Sequence, residues 1–374
     1  MIRLEHLSKT FSTERGEVHA VRDVNLEVPR GELCVLLGPS GCGKTTTLKI
    51  VNRLIPHTAG KIYIDEEDTD QFDVVRLRRN IGYVIQQIGL FPNMTVEENI
   101  AVVPRLLGWP KDKQKKRAAE LIDMVALDRG MLQRYPKELS GGQQQRVGVA
   151  RGLAADPPVL LMDEPFGAID PINREVIQDE FLKMQAELKK TIMFVSHDID
   201  EAVKMGDKIA IFRAGQLEQY GAPDDVLAHP INDFVADFVG GDRELKRMRL
   251  IRIVDALEGH APSVRAGDSL ETAAQKMDQT GVTVAVVVDA DNYPEGYVAR
   301  ADAEGGAGKC EREQHPLANP VKLNQDLRTA VSRMFTYDTD WLAAVDERGR
   351  FAGIITRAGI TETLHAKARG KGTA

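Results

Sequence analysis

The stretch Glu32-Leu-Cys-Val-Leu-Leu-Gly-Pro-Ser-Gly-Cys-Gly-Lys-Thr-Thr-Thr-Leu-Lys-Ile-Val51 decides the fold. Its unbroken apolar run at residues 33–37 predicts a short buried strand. The loop at residues 38–45 has the phosphate-binding pattern G-x-x-x-x-G-K-[ST], and the apolar spacing after it predicts a helix. Its glycines let backbone N–H groups converge on a phosphate. A Gly-rich turn that happens to contain a lysine is the alternative, which the flanking strand and helix disfavour.

Two side chains of this loop have the chemistry that a nucleoside triphosphate requires. Lys44 supplies a mobile cation for the β- and γ-phosphates, and Thr45 supplies a hydroxyl for Mg²⁺. The N-terminus of the predicted helix adds a partial positive charge. The stretch therefore predicts a nucleotide site.

Length and composition are those of a globular protein. The 374 residues have room for two or three domains, with 43% hydrophobic and 28% charged residues. No apolar run reaches the roughly 18 residues of a membrane-spanning helix, and the N-terminus lacks the apolar core of a signal peptide. The net charge of −7 argues against nucleic acid as a partner, and three cysteines are too few for a disulfide framework or a zinc site. These features predict a cytoplasmic protein.

A second anion site is predicted where Leu139-Ser-Gly-Gly-Gln143 begins a helix. Ser140 is a natural N-cap, and Gly141 and Gly142 present bare N–H groups at the helix N-terminus. The chain therefore has two separate places suited to a phosphate.

Polar residues follow further apolar runs. Asp163 is placed to hold Mg²⁺, and Glu164 to orient and deprotonate a water; a simple strand-end turn is the alternative. His197 ends another such run and is either a ligand or a packed histidine. Because strands alternate with helical segments, we expect a mostly parallel sheet with these residues and the phosphate loop along one edge.

The flanking segments differ in character. Residues 1–31 predict short antiparallel strands, and residues 95–151 are helical with prolines as breakers. Phe11 is expected on a loop between the first two strands, either as a core plug or stacked on an adenine ring.

The composition changes after Gly240-Gly241. A basic, helix-like linker follows, and we expect its cations to be available to anionic lipid or to a partner: Lys246, Arg247, Arg249 and Arg252. Beyond Pro262 the chain repeats itself, because Leu270-Glu-Thr-Ala matches Leu327-Arg-Thr-Ala 57 residues later. A constant register over helix, strand and strand predicts a duplicated small domain.

With the phosphate loop, Gln86, Leu-Ser-Gly-Gly-Gln, Asp163-Glu164 and His197 in this order, residues 1–240 resemble the ATP-binding subunit of an ABC transporter. The resemblance implies an α/β fold: a RecA-like parallel sheet core, an antiparallel β subdomain and a helical subdomain. It also implies ATP and Mg²⁺ as cofactors, and a head-to-tail homodimer that grips each ATP from both sides.

The resemblance assigns roles residue by residue. Gln86 is the Q-loop glutamine that senses Mg²⁺ and contacts the membrane subunit, and Glu164 and His197 match the catalytic base and the switch histidine. The implied catalytic residues are Lys44, Gln86, Glu164 and His197. The implied nucleotide-binding residues are Phe11, Gly38, Pro39, Ser40, Gly41, Cys42, Gly43, Lys44, Thr45, Thr46, Ser140, Gly141, Gly142, Gln143 and Asp170. The implied metal ligands are Thr45, Gln86 and Asp163.

Other segments, such as Val51-Asn-Arg-Leu-Ile and Ser196-His-Asp-Ile-Asp-Glu-Ala, resemble the branch that imports glycine betaine, choline and carnitine. The C-terminal repeat resembles a pair of CBS domains. In adenosine-binding CBS units each half often ends in a Thr and Asp pair, of which these halves keep only Asp302 and Thr356. The expected domains are 1–240, a linker at 241–262, a CBS pair at 263–368 (about 263–310 and 316–368) and a basic tail at 369–374.

The resemblance implies an ATPase that powers import of a quaternary-amine osmolyte. It would sit peripherally on the cytoplasmic face of the inner or plasma membrane, with the permease subunits and the extracytoplasmic substrate-binding protein as separate chains. A soluble ABC ATPase acting on DNA or ribosomes is one alternative, and a regulatory nucleotide sensor with a vestigial ATPase is another. The C-terminal repeat is expected to regulate activity, with dimer stabilisation as the alternative.

Overall fold

The computed structural model describes residues 1–14, 16–85, 89–167, 169–257, 261–304, 308–311 and 315–369. The chain forms two compact units. The first comprises Met1–Val226 with Pro230–Val239, and the second comprises Leu227–His229 with Gly240–Ala374.

The strands of the first unit form two sheets. In chain order they are β1 (Ile2–Thr13), β2 (Gly16–Val28), β3 (Leu33–Leu37), β4 (Ala59–Ile64), β5 (Glu67–Asp68), β6 (Ile81–Val84), β7 (Val159–Asp163), β8 (Thr191–Val195), β9 (Lys208–Arg213) and β10 (Gln216–Gly221). One sheet has the order β10-β9-β3-β8-β7-β6, and the other has the order β2-β1-β4-β5.

The larger sheet is mostly parallel, as predicted. Strands β9, β3, β8, β7 and β6 pair in parallel, and β10 is antiparallel to β9. Every residue of β3, β7 and β8 is buried. Continuous apolar runs are typical of parallel strands that are covered on both faces.

The smaller sheet is antiparallel. Its long β1–β2 hairpin corrects one prediction, since Phe11 lies within β1, paired with Val18, rather than on a loop. Backbone pairing with β2 extends the strand through a polar stretch that local sequence suggested was irregular. The Lys9 ammonium lies 4.9 Å from the centre of the Phe11 ring.

The helices that begin in the first unit are α1 (Lys44–Val51), α2 (Val74–Arg79), α3 (Val96–Ile100), α4 (Val102–Leu106), α5 (Lys111–Met124), α6 (Gly141–Leu153), α7 (Pro171–Leu188), α8 (Ile199–Met205), α9 (Pro223–Ala228) and α10 (Asp233–Val239). The predicted helical segment corresponds to α3–α6. Within the described residues no helix is both long and apolar enough to cross a membrane.

The second unit consists of two copies of one small fold. Its strands are β11 (Ser263–Arg265), β12 (Val284–Val288), β13 (Pro294–Ala299), β14 (Val321–Lys322), β15 (Trp341–Val345) and β16 (Phe351–Thr356), and its helices are α11 (Arg243–Arg247), α12 (Leu270–Thr280), α13 (Leu327–Thr336) and α14 (Arg357–Arg369). Helix α13 and strands β15 and β16 each begin 57 residues after their counterparts α12, β12 and β13. The predicted duplication is confirmed.

Each copy has a core of its own, and a third core joins them. In both copies the first strand pairs in parallel with the second, and the second pairs antiparallel with the third. Val284, Val286 and Val288 of β12 pack with Ala343 of β15 and Ile354 of β16. This shared apolar layer holds the two copies together.

The basic linker is more ordered than expected, and two of its cations are not available to lipid. Lys246 and Arg247 are buried. Lys246 pairs with Asp242, and the Arg247 guanidinium lies 2.9 Å from the Glu244 carboxylate. In this segment apolar residues are interspersed with the cations, and Ile251, Ile253 and Ala256 belong to the core of the second copy. Packing of these apolar residues onto that core also buries the two cations.

Candidate functional site

Three neighbouring strands bring the predicted residues to one edge of the parallel sheet. Leu36 of β3 and Asp163 of β7 both lie in register with Val195 of β8, so the three carboxyl ends are level. Beyond these ends lies a cavity of about 350 Å³. It is lined by Ala20, Ser40, Gly41, Cys42, Gly43, Lys44, Thr45, Thr46, Glu164 and His197.

Lys44 is enclosed by its own loop. Its side chain is buried, and the ammonium donates hydrogen bonds to the carbonyl oxygens of Gly38 (2.6 Å) and Pro39 (2.8 Å). The Cys42 Sγ lies 3.5 Å from the same nitrogen. The loop thus places a positive charge at the N-terminus of α1, where backbone N–H groups already favour an anion.

The backbones of neighbouring strands fix the loop at two glycines. A Cβ on Gly38 would lie 2.2 Å from the Phe212 carbonyl oxygen, and one on Gly43 would lie 2.3 Å from the Ala20 carbonyl oxygen. Both glycines have positive φ, 143° and 106°. Ala20 was not predicted, because it contributes its backbone from β2 and carries no chemical signal in the sequence.

Asp163 and Thr45 meet beside the loop. The Thr45 hydroxyl donates to Asp163 Oδ1 at 2.8 Å, and the Asp163 side chain is buried. Burial raises the pKa of the Asp163 carboxyl, while the hydrogen bond from Thr45 acts in the opposite direction. A hydroxyl oxygen and a carboxylate oxygen therefore lie side by side next to the start of α1.

Glu164 faces the same cavity from a constrained backbone. Its φ is 47°, in the left-handed region, and its N–H donates to the Val195 carbonyl oxygen at 3.0 Å. Glu164 Oε1 lies 3.6 Å from His197 Nδ1, and the carboxylate side chain is 24% exposed, against 65% for His197. Such strained residues cluster at functional sites. The half-buried acid and the exposed imidazole therefore both line the open space of the cavity.

A buried polar network lies behind His197. Glu201 on α8 accepts hydrogen bonds from the Ser196 hydroxyl (2.5 Å) and from the Gln178 amide of α7 (2.9 Å). The Ser196 hydroxyl also accepts the Asp198 N–H at 3.0 Å. The loop that carries His197 is thereby tied to α7 and α8. Sequence reasoning missed this network, because Gln178 comes from another helix, 23 residues before Glu201, and the burial of Glu201 is not visible in the sequence.

The pKa of Glu201 gives a pH prediction. Burial raises the pKa of the Glu201 carboxyl above its ordinary value, although the hydrogen bonds from Ser196 and Gln178 act in the opposite direction. The folded state therefore holds the Glu201 proton more tightly than the unfolded state. The protonated carboxyl contributes its full share to the free energy of unfolding at pH values below the pKa of Glu201 in the unfolded chain. That contribution is lost as the pH rises through the pKa of Glu201 in the folded protein. Glu201→Gln does not titrate, and we expect its unfolding free energy, relative to wild type, to increase with pH across that window.

Urea unfolding monitored by circular dichroism at a series of pH values measures this difference. The control is Glu187→Gln, which changes an exposed glutamate on the neighbouring helix α7. A relative stability of Glu201→Gln that stays flat with pH, as expected for the control, contradicts the prediction.

The second predicted anion site lies apart from the first. Ser140 caps α6: its hydroxyl accepts the Gln143 N–H at 3.3 Å, and its own N–H donates to Gln143 Oε1 at 2.9 Å. Ser140 and Gly141 are exposed. Among the described residues that line the cavity, none comes from this helix start. One chain therefore presents the two sites on different parts of its surface.

The remaining predicted residues are dispersed. Phe11 lies on β1 and Asp170 is exposed immediately before α7, and neither lines the cavity. Gln86 lies outside the described residues. The structure thus brings the phosphate loop, Asp163, Glu164 and His197 together. The other described residues that were predicted to bind the nucleotide, among them Phe11, Ser140 and Asp170, do not line this cavity.

Comparison with known proteins identifies the family. A family model described as "ABC transporter" matches residues 21–167, and one described as "CBS domain" matches residues 256–303. The osmoprotectant import ATP-binding protein OsmV of Salmonella typhimurium is 56% identical over 368 residues, which cover 97% of this chain and 96% of that protein. The chain belongs to the ABC transporter family.

Other relatives of this ABC transporter subunit match over nearly its full length. The glycine betaine/carnitine/choline transport ATP-binding protein OpuCA and the choline transport ATP-binding protein OpuBA, both of Bacillus subtilis, are 44% and 45% identical. Each match covers 98% of this chain and 96% of the relative. The family and branch predicted from sequence are confirmed.

Solved ABC cassettes match the first part of the chain. The dimeric cassette MJ0796, in a post-hydrolysis state bound to ADP and Pi, is 35% identical with a TM-score of 0.56; the match covers 60% of this chain and 99% of that one. The predicted fold class, an ABC cassette followed by CBS-type repeats, is confirmed. ATP-binding subunits of ABC transporters are ATPases, and this chain is an ATP-binding ATPase subunit.

Proposed function

We propose that this ABC subunit hydrolyses ATP to drive uptake of a quaternary-amine osmolyte of the glycine betaine, choline or carnitine type. The observation that carries the proposal is the cavity at the sheet edge, where Lys44, Glu164 and His197 surround one space in a chain that matches osmolyte importers along its length. A protein with this set of groups retains the parts that phosphoryl transfer to water requires.

Within the cavity each group has a distinct task. The loop N–H groups, the N-terminus of α1 and Lys44 bind the β- and γ-phosphates. Glu164 accepts the proton of the attacking water, and the imidazole of His197 contacts the γ-phosphate. ADP and phosphate then leave. Positioning and charge stabilisation supply most of the rate in such reactions.

The Thr45–Asp163 pair suits Mg²⁺. Mg²⁺ takes oxygen ligands and is held by one or two carboxylates together with substrate phosphates, rather than by a cage of protein ligands. A hydroxyl and a carboxylate 2.8 Å apart fit this description, and the described residues contain no cluster of three or more His, Cys, Asp or Glu that would hold a metal alone. The ion neutralises charge on the β- and γ-phosphates when bound. Gln86 completes its shell in this proposal.

A second copy of the chain completes the site. The signature residues Ser140, Gly141 and Gly142 lie outside the cavity of their own chain, and the matching cassette MJ0796 is described as dimeric. In a head-to-tail pair, the helix start at α6 of one copy covers the γ-phosphate held by the other. Asp170 lies near the same junction, and Phe11 stacks on the adenine.

The further partners are separate chains. Permease subunits in the membrane carry the solute, an extracytoplasmic protein delivers it, and this subunit binds at the cytoplasmic face. Residues 1–240 form the ATPase domain, 241–262 the connection, 263–368 the CBS pair and 369–374 the tail. The extent of the relatives' matches supports this arrangement, since they include both the cassette and the repeats.

Uptake into liposomes tests the proposal. The subunit is purified with its co-expressed permease, reconstituted with ATP inside, and offered labelled glycine betaine, choline and carnitine. We expect ATP-dependent accumulation of at least one of them, and its loss in Lys44→Ala, because the cation that binds the phosphates is removed. Accumulation of none of the three by an assembly that hydrolyses ATP contradicts the proposed substrate class.

A further inference from the structure

The second unit contains a cavity of about 400 Å³ that the ATPase cycle does not use. It adjoins the apolar layer shared by the two copies, since Tyr297, Leu317 and Trp341 both line it and pack against that layer. Its volume falls in the range of pockets that hold small ligands. The cavity is therefore formed by residues that belong to the packed core between the two copies.

Aromatic rings form its walls. The rings of Tyr297 and Trp341 stand at 83° to each other with centres 5.1 Å apart. His315 stacks on Tyr297 at 4.9 Å, and its Nε2 lies 2.9 Å from Asp302 Oδ2, so the Tyr297 ring is held in place. Tyr337, half exposed, adds a third ring at the lining.

The charge of the lining is negative. Asp338 lines the cavity from a left-handed backbone position, φ 48°, and forms no ion pair or hydrogen bond with any described residue. Within the described lining no lysine or arginine is present. Arg357, at the start of α14, pairs with Asp340 at 3.0 Å. Aromatic rings beside a carboxylate favour a cation, and a carboxylate without a lysine or arginine in the described lining disfavours a phosphate.

We propose that this cavity binds a quaternary ammonium cation. Methylated ammonium groups need no hydrogen-bond acceptors and pack their methyls against aromatic faces. Mg²⁺ prefers several oxygen ligands, and the described lining has three aromatic rings but a single carboxylate. The assignment rests in part on the proposed function, because it makes the ligand the class of solute that is imported. Occupancy then reports the accumulated solute to the ATPase as a feedback signal.

The two tryptophans of the chain make the binding measurable. Trp109→Phe leaves Trp341 as the sole tryptophan of the full-length protein, and excitation at about 295 nm would select its fluorescence over that of the tyrosines. We expect a saturable change on adding choline at constant ionic strength, and none with its neutral isostere 3,3-dimethylbutanol. Glycine betaine is expected to bind more weakly than choline, because its carboxylate approaches Asp338. The matched control is Trp341→Phe, whose remaining Trp109 is expected not to respond.

Variants of the lining test the geometry. Tyr297→Leu in the Trp109→Phe background should weaken choline binding about ten-fold through the lost cation–π wall, and Tyr297→Phe should restore it. Asp338→Asn should weaken it about three-fold. Equal responses to choline and its isostere, or an unchanged affinity in Tyr297→Leu, overturn the proposal. A response to adenine nucleotides but not to choline overturns it in favour of a nucleotide site.

Feedback is measured in the reconstituted transporter. Liposomes preloaded with choline should show slower ATP-dependent uptake than liposomes preloaded with sucrose at equal osmolality, and Tyr297→Leu should abolish the difference. Equal uptake rates in liposomes preloaded with choline and with sucrose would show that the bound cation does not regulate the ATPase. Because the fluorescence titration needs no permease, its failure is distinct from failure of the importer assignment, which the uptake assay without preloading tests separately.

Discussion

Glu164→Gln is expected to bind ATP as the wild type does and to hydrolyse it at least about 10²-fold more slowly. Glutamine keeps the size of the side chain, but its amide does not accept a proton from the attacking water. Lys44 and the phosphate loop, which hold the nucleotide, are untouched. The substitution therefore separates binding from chemistry.

Two measurements check this separation. Steady-state phosphate release gives the hydrolysis rate, and equilibrium binding of a fluorescent ATP analogue gives the affinity. In the proposed head-to-tail pair both copies contact the bound ATP, so ATP that is not hydrolysed should keep them together. Size-exclusion chromatography with ATP should therefore show a stable dimer for Glu164→Gln. Glu187→Gln, an exposed glutamate on α7, is the matched control and should behave as wild type. Hydrolysis by Glu164→Gln within a few-fold of the control would remove Glu164 from the role of base.

The residues at the sheet edge were predictable from sequence because their signals are local. The apolar runs of β3, β7 and β8 are continuous, and a parallel sheet places the residues after such runs at one edge. The loop glycines and Lys44 follow a spacing that phosphate binding itself imposes. The duplicated repeat was equally visible, since an exact register needs no three-dimensional information to detect.

Features that depend on contacts between distant segments were not predictable. Ala20 approaches Gly43 through its backbone, and the Ser196–Glu201–Gln178 network joins α7 to α8. Lys246 was expected to be exposed, because cations usually are, yet Asp242 pairs with it where the segment folds onto the second copy. Ala20 and Gln178 lie far along the chain from the residues that they contact. Lys246 is only four residues from Asp242, and its burial depends instead on how the segment packs onto the second copy.

The separation of the two anion sites within one chain has a direct functional consequence. Ser140 begins α6 with an exposed hydroxyl, whereas Lys44 is buried in the phosphate loop. If Ser140 acts on the nucleotide held by a second copy, Lys44→Ala and Ser140→Arg damage different halves of the same composite site. Each variant alone should lose at least about 10²-fold in hydrolysis, the first with weakened ATP binding and the second with ATP binding by the monomer retained.

Mixing the two variants is therefore expected to restore activity that neither has alone. A heterodimer has one site in which both halves are intact, and a second in which both are damaged. With random pairing, about half of the dimers are heterodimers, so about a quarter of the wild-type number of sites should be active. The hydrolysis rate is measured after mixing differently tagged variants, with tandem affinity purification to confirm the heterodimer.

The capping role of Ser140 requires its own control, since Ser140→Arg also removes the reciprocal hydrogen bonds with Gln143. Thr95→Arg removes the same kind of capping box, formed with Glu98, from the start of α3. A lost cap costs about 1 kcal/mol and acts within its own chain, so a folding defect at α6 is not repaired by a second copy. Rescue in the mixture thus identifies a contact between copies, and a confirmed heterodimer without activity argues that Ser140 serves only its own helix.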